Sequence, residues 1–484
     1  MKKLFSCVIA VFVLVFASFP VSANSAQTRW RGVAASGAAV TETDCPLEVE
    51  KETLTFDLSE FPENYYGSLS EYLDYDGKVT AEYTFRNPAD YDVEATLVFP
   101  FGKYPDYIYS TTDDSKNQEA KAADLLKYGV TVNGEALDCT IRHTLSDPYS
   151  DFDPETDIAR LHDSYMEDDF FKPDLTVTKL TYTYDDPSLG SPATAAFKWT
   201  PSADTKVLLY NQSGGQRDEA DNLLISTWVD TEKGETLYVF GDASFEPEWK
   251  IYENGACEKE IEGSLTLASS ETMTLKEFAL QKYNAESGIS ETDWYNAMVE
   301  DLKTSDKEWG SSVKNESGET ETVPGGVLSC CAYDFDLTGS LLRWYEYELR
   351  VPAGETVTNT VTAPMYPAIN SDYTSPVFTY TYLLSPAKGW ADFKLLDIKI
   401  NTPVYLLEST VLGFEKTEEG YSLLLDSLPE EDLTFTLCAE ENPVRAVPSY
   451  TFHLLSWITL ILSLLTLALI AGGVIAAVAI RMKK

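Results

Sequence analysis

KVTAEYTFRNP, residues 78–88, decides how the rest of the chain is read. Val79, Ala81, Tyr83 and Phe85 fall on one side of an extended backbone, the period of a half-buried β-strand. Asn87-Pro88 ends it with turn chemistry, as Asp76-Gly77 does in front. The alternation continues outward: Leu47, Val49, Leu54, Phe56 and Leu58 precede it, and Val93, Ala95, Leu97 and Phe99 follow. Leu137, Cys139, Ile141, His143 and Leu145 alternate again after a tight turn at Asn133-Gly134. Further strands are predicted over 175–184, 206–210, 223–229, 236–240, 327–337, 341–351, 356–362, 377–384, 393–400, 421–425 and 433–438. The fold class is mainly β: two or three β-sandwich-like domains with helical insertions, plus one C-terminal transmembrane helix.

The helical insertions announce themselves by their ends. Thr274-Leu-Lys-Glu277 is a capping box, and Met273 with Phe278 forms its hydrophobic staple. Ser290-Glu-Thr-Asp293 repeats the box with a shorter acid, stapled by Ile289 and Trp294. Trp294, Tyr295, Met298, Val299 and Leu302 then share one face, so the two helices are expected to pack as a hairpin on a sheet. Ser115 opens a short helix that closes at Gly129. Asp153-Pro154 starts another, with Ile158, Leu161, Tyr165 and Phe170 on one face.

Both termini have the composition of membrane topology signals. Lys2 and Lys3, the apolar run Cys7 to Phe19 and Val-Ser-Ala at 21–23 read as a secretory signal peptide. LLSWITLILSLLTLALIAGGVIAAVAI, residues 454–480, has no ionisable side chain. At about 1.5 Å per residue it spans roughly 40 Å as a helix, enough to cross a bilayer with some tilt. Arg481, Lys483 and Lys484 place the tail in the cytoplasm. The expected localisation is the plasma membrane, single-pass type I, with the N-terminal part outside. Between these ends come a flexible arm (24–44), a β-sandwich domain with helical insertions (45–201), a β domain with the helical hairpin (202–326), a C-terminal β domain (327–440) and a stalk (441–453). The tail is 481–484.

The chain has 78 acidic against 36 basic residues, for a formal charge of −42. Such a surface repels phosphate backbones, which excludes nucleic acid as a partner. With 44% hydrophobic and 12% aromatic residues it has ample material for cores. Six cysteines remain after residue 23, and they permit 15 pairings among which the sequence does not choose. Cys330 and Cys331 are adjacent, and a bridge between them would be strained.

The densest acidic cluster is Asp147-Pro-Tyr-Ser-Asp151-Phe-Asp153-Pro-Glu155-Thr-Asp157. Asp151, Asp153, Glu155 and Asp157 have the alternate spacing of a calcium loop, and calcium is the cofactor such a loop would take. Thr156 stands at its glycine position and His162 at its bidentate glutamate position, so helix capping and the helix dipole are the favoured reading. His143 and His162 could meet, as structural imidazoles before catalytic ones. Gly214-Gly215 reads as a turn, with no helix behind it to cradle a phosphate. Tyr104, Tyr107 and Tyr109 beside Asp106 suit a sugar or protein contact as well as a strand edge. No G-x-S-x-G or H-E-x-x-H occurs, and catalytic residues are not assigned.

Glu52-Thr-Leu54, Tyr83-Thr-Phe85-Arg-Asn87-Pro88 and Phe99-Pro100 resemble the opening of a family of secreted or single-span membrane-anchored bacterial proteins, many of them Gram-positive. Tyr382-Leu-Leu-Ser-Pro386-Ala-Lys-Gly-Trp390, with 396–401 behind it, is similar to their C-terminal half. No activity is established for that group. A fainter likeness, to the vault and inter-alpha-trypsin type of β domain, rests on Y-x-F-x-N and F-P and implies nothing functional. The expectation is a bacterial cell-surface protein with an acidic β-rich exterior part that binds a protein or glycan, or acts in envelope assembly. An extracellular hydrolase with unidentified carboxylates and a calcium-dependent ligand-binding module are the alternatives.

Overall fold

The computed structural model describes residues 34–36, 39–40, 45–59, 61, 77–102, 129–146, 154–218, 222–241, 245–314, 320–323, 325–329, 337, 340–370 and 372–445. The signal segment, the helix expected at 115–129, Tyr104, Tyr107, Tyr109, Cys330, Cys331 and the apolar run 454–480 lie outside them. Among the described residues no helix is long and apolar enough to cross a membrane.

Strand Glu48–Asp57 is the pivot of the first unit. Period-two alternation buries Leu54 and Phe56 completely. It pairs antiparallel with Lys78–Arg86, setting Leu54 opposite Ala81, and parallel with Leu396–Asn401, setting Leu54 opposite Ile398. These strands belong to a nine-stranded sheet that also holds Thr356–Pro364 and Gly420–Leu425. Two smaller sheets face it. One contains Val377–Leu383 and Leu433–Cys438, the other Val93–Gly102, Leu341–Val351 and Thr140–Leu145. Phe56, Tyr83, Phe85, Leu97, Tyr347, Tyr380, Ile398 and Phe435 from all three sheets share one core.

The pairing therefore groups the chain differently from the segments 45–201, 202–326 and 327–440. The first and last of these build one sandwich, because Val93–Gly102 is zipped to Leu341–Val351 from Val93↔Val351 onward. A second sandwich is inserted between Thr140–Leu145 and Leu341–Val351. Its first sheet runs Thr205–Leu209, Glu235–Gly241, Thr176–Tyr184, Leu265–Thr274. The second runs Gly214–Arg217, Leu223–Trp228, Thr194–Trp199, Trp249–Tyr252, Glu260–Ile261. Leu180, Tyr182, Phe197, Val207, Ile225, Leu237 and Val239 fill the space between them. Gly214-Gly215 is thus an edge strand and not a turn. A Cβ at Gly215 would come 2.2 Å from the Trp309 ring, so glycine there lets the indole lie on the backbone.

Three α-helices stand among the described residues, two of them opened by side-chain caps. Helix α1 is Pro154–Ile158, α2 is Leu275–Ala279 and α3 is Glu291–Glu308. The capping box at Thr274 is formed in both directions, and the Ser290 hydroxyl caps the Asp293 amide. The α1 stretch is shorter than its apolar spacing suggests. Ile158 and Leu161 pack beside Val98 and Trp344, while Tyr165 and Phe170 join a different core. That core holds Phe278, Trp294, Tyr295, Met298 and Leu302 of α2 and α3, Val177 and Phe240 of the inserted sheet, and Leu145 and Leu341 of the first sandwich. Helix α3 is consequently the wedge where the two units join.

Candidate binding cleft

At this junction Arg142, inside strand Thr140–Leu145, is a hub. Its Nε and Nη2 donate to Asp293 at the start of α3, both at 3.2 Å to Oδ1. Nη1 reaches Glu346 at 2.8 Å and Asp163 at 3.0 Å, and Nη2 also reaches the His162 carbonyl at 2.8 Å. Burial pushes the Asp293 carboxyl up, against the lowering pull of Arg142 and of the His143 amide. His143 and His162 thus meet around Arg142 through their main chains. Burial, with Arg343 and Arg142 nearby, pushes the His143 imidazole down to about 3, so it stays neutral at ordinary pH. Both histidines therefore serve the joint through its hydrogen bonds.

Of the four expected metal ligands, Asp157 is the one whose side chain is described. It is buried at the end of α1 and pairs with Arg160 at 3.1 Å; Arg160 in turn donates to the Leu145 carbonyl at 3.1 Å. Asp157 is accordingly part of the ionic seam that fastens α1 to the joint. Asp151 and Asp153 lie outside the described residues, as does the side chain of Glu155. Among the described residues no three His, Cys, Asp or Glu side chains are arranged to hold a metal.

A cleft of about 440 Å³ opens towards the C-terminal end of α3, lined by Asp168 to Phe171, Pro201 to Ala203, Lys206, Lys303, Asp306 and Lys307. Helical spacing puts Lys303, Asp306 and Lys307 on one face. Strand Thr205–Leu209 brings Lys206 up to them, buried, with Nζ 2.6 Å from Asp306 Oδ2 and 4.7 Å above the Phe170 ring. Asp306 Oδ1 accepts the Gly326 amide at 2.8 Å, which fixes the carboxylate. Asp168 is fixed likewise: Oδ1 accepts the amides of Phe170 and Phe171, and Oδ2 pairs with Lys303 at 3.0 Å. Burial would raise its pKa, but Lys303 and those two amides together hold it below the ordinary carboxylate value. Lys307 and Asp169 are exposed at the mouth.

The result is an aromatic wall, two ion pairs whose geometry is preset, and an accessible ammonium and carboxylate. Such a lining suits a ligand with an apolar face and several hydroxyl or amide groups, as a sugar ring or peptide has. Lys206 and Asp306 satisfy one another and are held in place, so they form a polar wall. The sequence reading used Phe170 for a helix face and did not single out Lys206, Lys303 or Asp306. The Asp-Asp-Phe-Phe run at 168–171 and the charged i, i+3, i+4 face of α3 were the available signals.

No family model and no curated protein matches the chain. Among solved structures, it is similar to a Legionella pneumophila protein described as a "putative nutrient binding protein", at 9% identity over 84% of this chain and 71% of that one. The TM-score is 0.28, and at that overlap the likeness carries no argument about fold or function.

Proposed function

We propose that this chain is a single-span protein of a bacterial cell surface whose acidic, β-rich exterior part binds a glycan or protein. The cleft beside α3 carries the reading. Its aromatic wall and prearranged Asp168–Lys303 and Lys206–Asp306 pairs offer oriented donors and acceptors without side chains having to be ordered on binding. The formal charge of −42 supports a partner other than nucleic acid. The signal-like start and the apolar run 454–480 support display outside a membrane. A glycan and peptide array probed with the exterior part tests the proposal. Specific retention that drops at least about tenfold on Phe170→Ala or Lys307→Ala, with no chemical change in the retained compound, is expected. Turnover of an arrayed compound, or retention indifferent to both substitutions, would overturn it.

A further inference from the structure

We infer that the outer edge of strand Leu265–Thr274 takes up an extended, basic polypeptide segment as an added β-strand. This inference stands apart from the cleft and from the membrane anchor. The strand is the last in its sheet, and its inner edge is laddered to Thr176–Tyr184 from Leu265↔Tyr184 to Thr274↔Thr176. Along the outer edge, alternate residues direct backbone N–H and C=O groups away from the sheet. None of these groups has a backbone partner among the described residues. Thr266, Leu267, Ala268, Ser270, Glu271 and Thr272 are exposed.

The other described edges are short or covered, as folded chains require. In the inserted unit they are the four residues Gly214–Arg217, the two residues Glu260–Ile261, and Thr205–Leu209, which is bridged by Val327. In the first sandwich Glu415–Lys416 and Glu135–Ala136 have two residues each, and Tyr405–Ser409 has five. On Thr140–Leu145 the edge amide of His143 is taken by Asp293 at 2.9 Å. Strand Leu265–Thr274 has ten residues and no Pro, Lys or Arg. Its ladder is irregular at Ala268, and it carries one charged side chain, Glu271.

Charge selects the occupant. A second copy would bring another chain of −42 alongside, with a second Glu271, and long-range repulsion opposes that pairing. A segment with basic side chains at alternate positions meets Glu271, which has Lys179 opposite it on the inner side, and, near the start of the strand, Asp185. The Asp185 carboxylate is held there by the Thr266 hydroxyl at 2.8 Å. Leu267, 46% exposed, offers the intervening side chains an apolar contact. Main-chain hydrogen bonds would supply affinity and the alternating side chains selectivity, the usual division in strand addition.

The test uses the full chain in detergent micelles and a synthetic peptide of alternating lysine and valine. Hydrogen exchange in 265–274 is expected to slow about tenfold or more at saturating peptide. Glu271→Lys should weaken binding about tenfold. The same peptide N-methylated at alternate amides should not bind, since its donors are gone. Ala268→Pro should also block addition while keeping the ladder, because Ala268 has no partner in its register. Should that variant fail to fold, Glu271→Lys and the methylated peptide still decide. Unchanged exchange at saturation, equal binding of the methylated peptide, or a dimer protected in 265–274 without peptide would each overturn the inference.

Discussion

Glu52→Gln should flatten part of the chain's pH-dependent stability. Glu52 lies on the central strand of the first sandwich, completely buried. Tyr382 donates to Oε1 at 3.3 Å, and the Tyr83 hydroxyl stands 3.4 Å from that of Tyr382. Burial pushes the carboxyl from its ordinary 4.5 up to about 7, and the two tyrosines only partly oppose it. Between those values the unfolded chain releases the proton while the folded chain keeps it. The stabilisation is therefore full below pH 4.5, falls as pH rises and is lost above about 7. At about 1.4 kcal/mol per tenfold change in proton affinity, the loss is about 3 kcal/mol. Urea denaturation at a series of pH values measures it. Glutamine cannot ionise, so the variant should gain about 3 kcal/mol on the native chain across this window. Glu235 and Glu300, also pushed up to about 7 by burial, act in both proteins and cancel from the difference. A constant offset would report only the new amide's packing. Parallel stability curves from pH 4.5 to above 7 would refute the reasoning.

Arg142→Ala should cost about 3–5 kcal/mol in chemical denaturation, because it leaves the buried Asp293 carboxylate without its cation, and Asp293→Ala should cost less, because Arg142 keeps Glu346 and Asp163. The double variant should cost much less than the sum of the two. Trp294→Ala should cost about 3–5 kcal/mol, since the ring is 2% exposed and its Nε1 donates to the Ala279 carbonyl at 2.9 Å. A loss below about 0.5 kcal/mol would remove the ring from the core. Salts should raise the melting temperature by screening alone, with calcium no better than sodium at equal ionic strength, because Asp157 is already matched by Arg160. A calcium-specific rise that vanishes in Asp151→Asn with Asp153→Asn would reverse that expectation.

Strands with one dry face were legible because burial leaves a period of two. Leu341–Val351 and Leu433–Cys438 match their expected limits, and the capped helices appear where Thr274 and Ser290 announce them. Gly214–Arg217 and Leu265–Thr274 were not legible as strands. They are edges, solvated on more than one side, and their Gly, Gln, Ser and Thr residues carry no alternation. The division into units was hidden for another reason. Pairing Val93–Gly102 with Leu341–Val351 leaves no mark in either strand's own composition, and an insertion between partners looks like a neighbouring domain. The cleft was hidden in the same way, since Asp168, Lys206 and Asp306 become a site only when a loop, a strand and a helix converge.

Glu52, Tyr83, Phe85, Asn87, Tyr382 and Trp390 have a common location in space. Glu52 and Tyr83, from the opening half, meet Tyr382, from the closing half, in one buried polar cluster. Phe85 packs on Trp390 with ring centroids 4.7 Å apart. Asn87, wholly buried, holds the turn by donating to the carbonyls of Tyr91 and Val351 at 2.8 and 3.0 Å while accepting the Ala89 amide. These residues close a sandwich whose halves are separated by the inserted unit. None of them lines the cleft. The cleft is built from other positions, Asp168 to Phe171 and the Lys303, Asp306 and Lys307 face of α3. The cleft stands apart from the core motif, because its side of α3 is held by Asp306 with Lys206 and the Gly326 amide, while the start of the helix is held by Arg142.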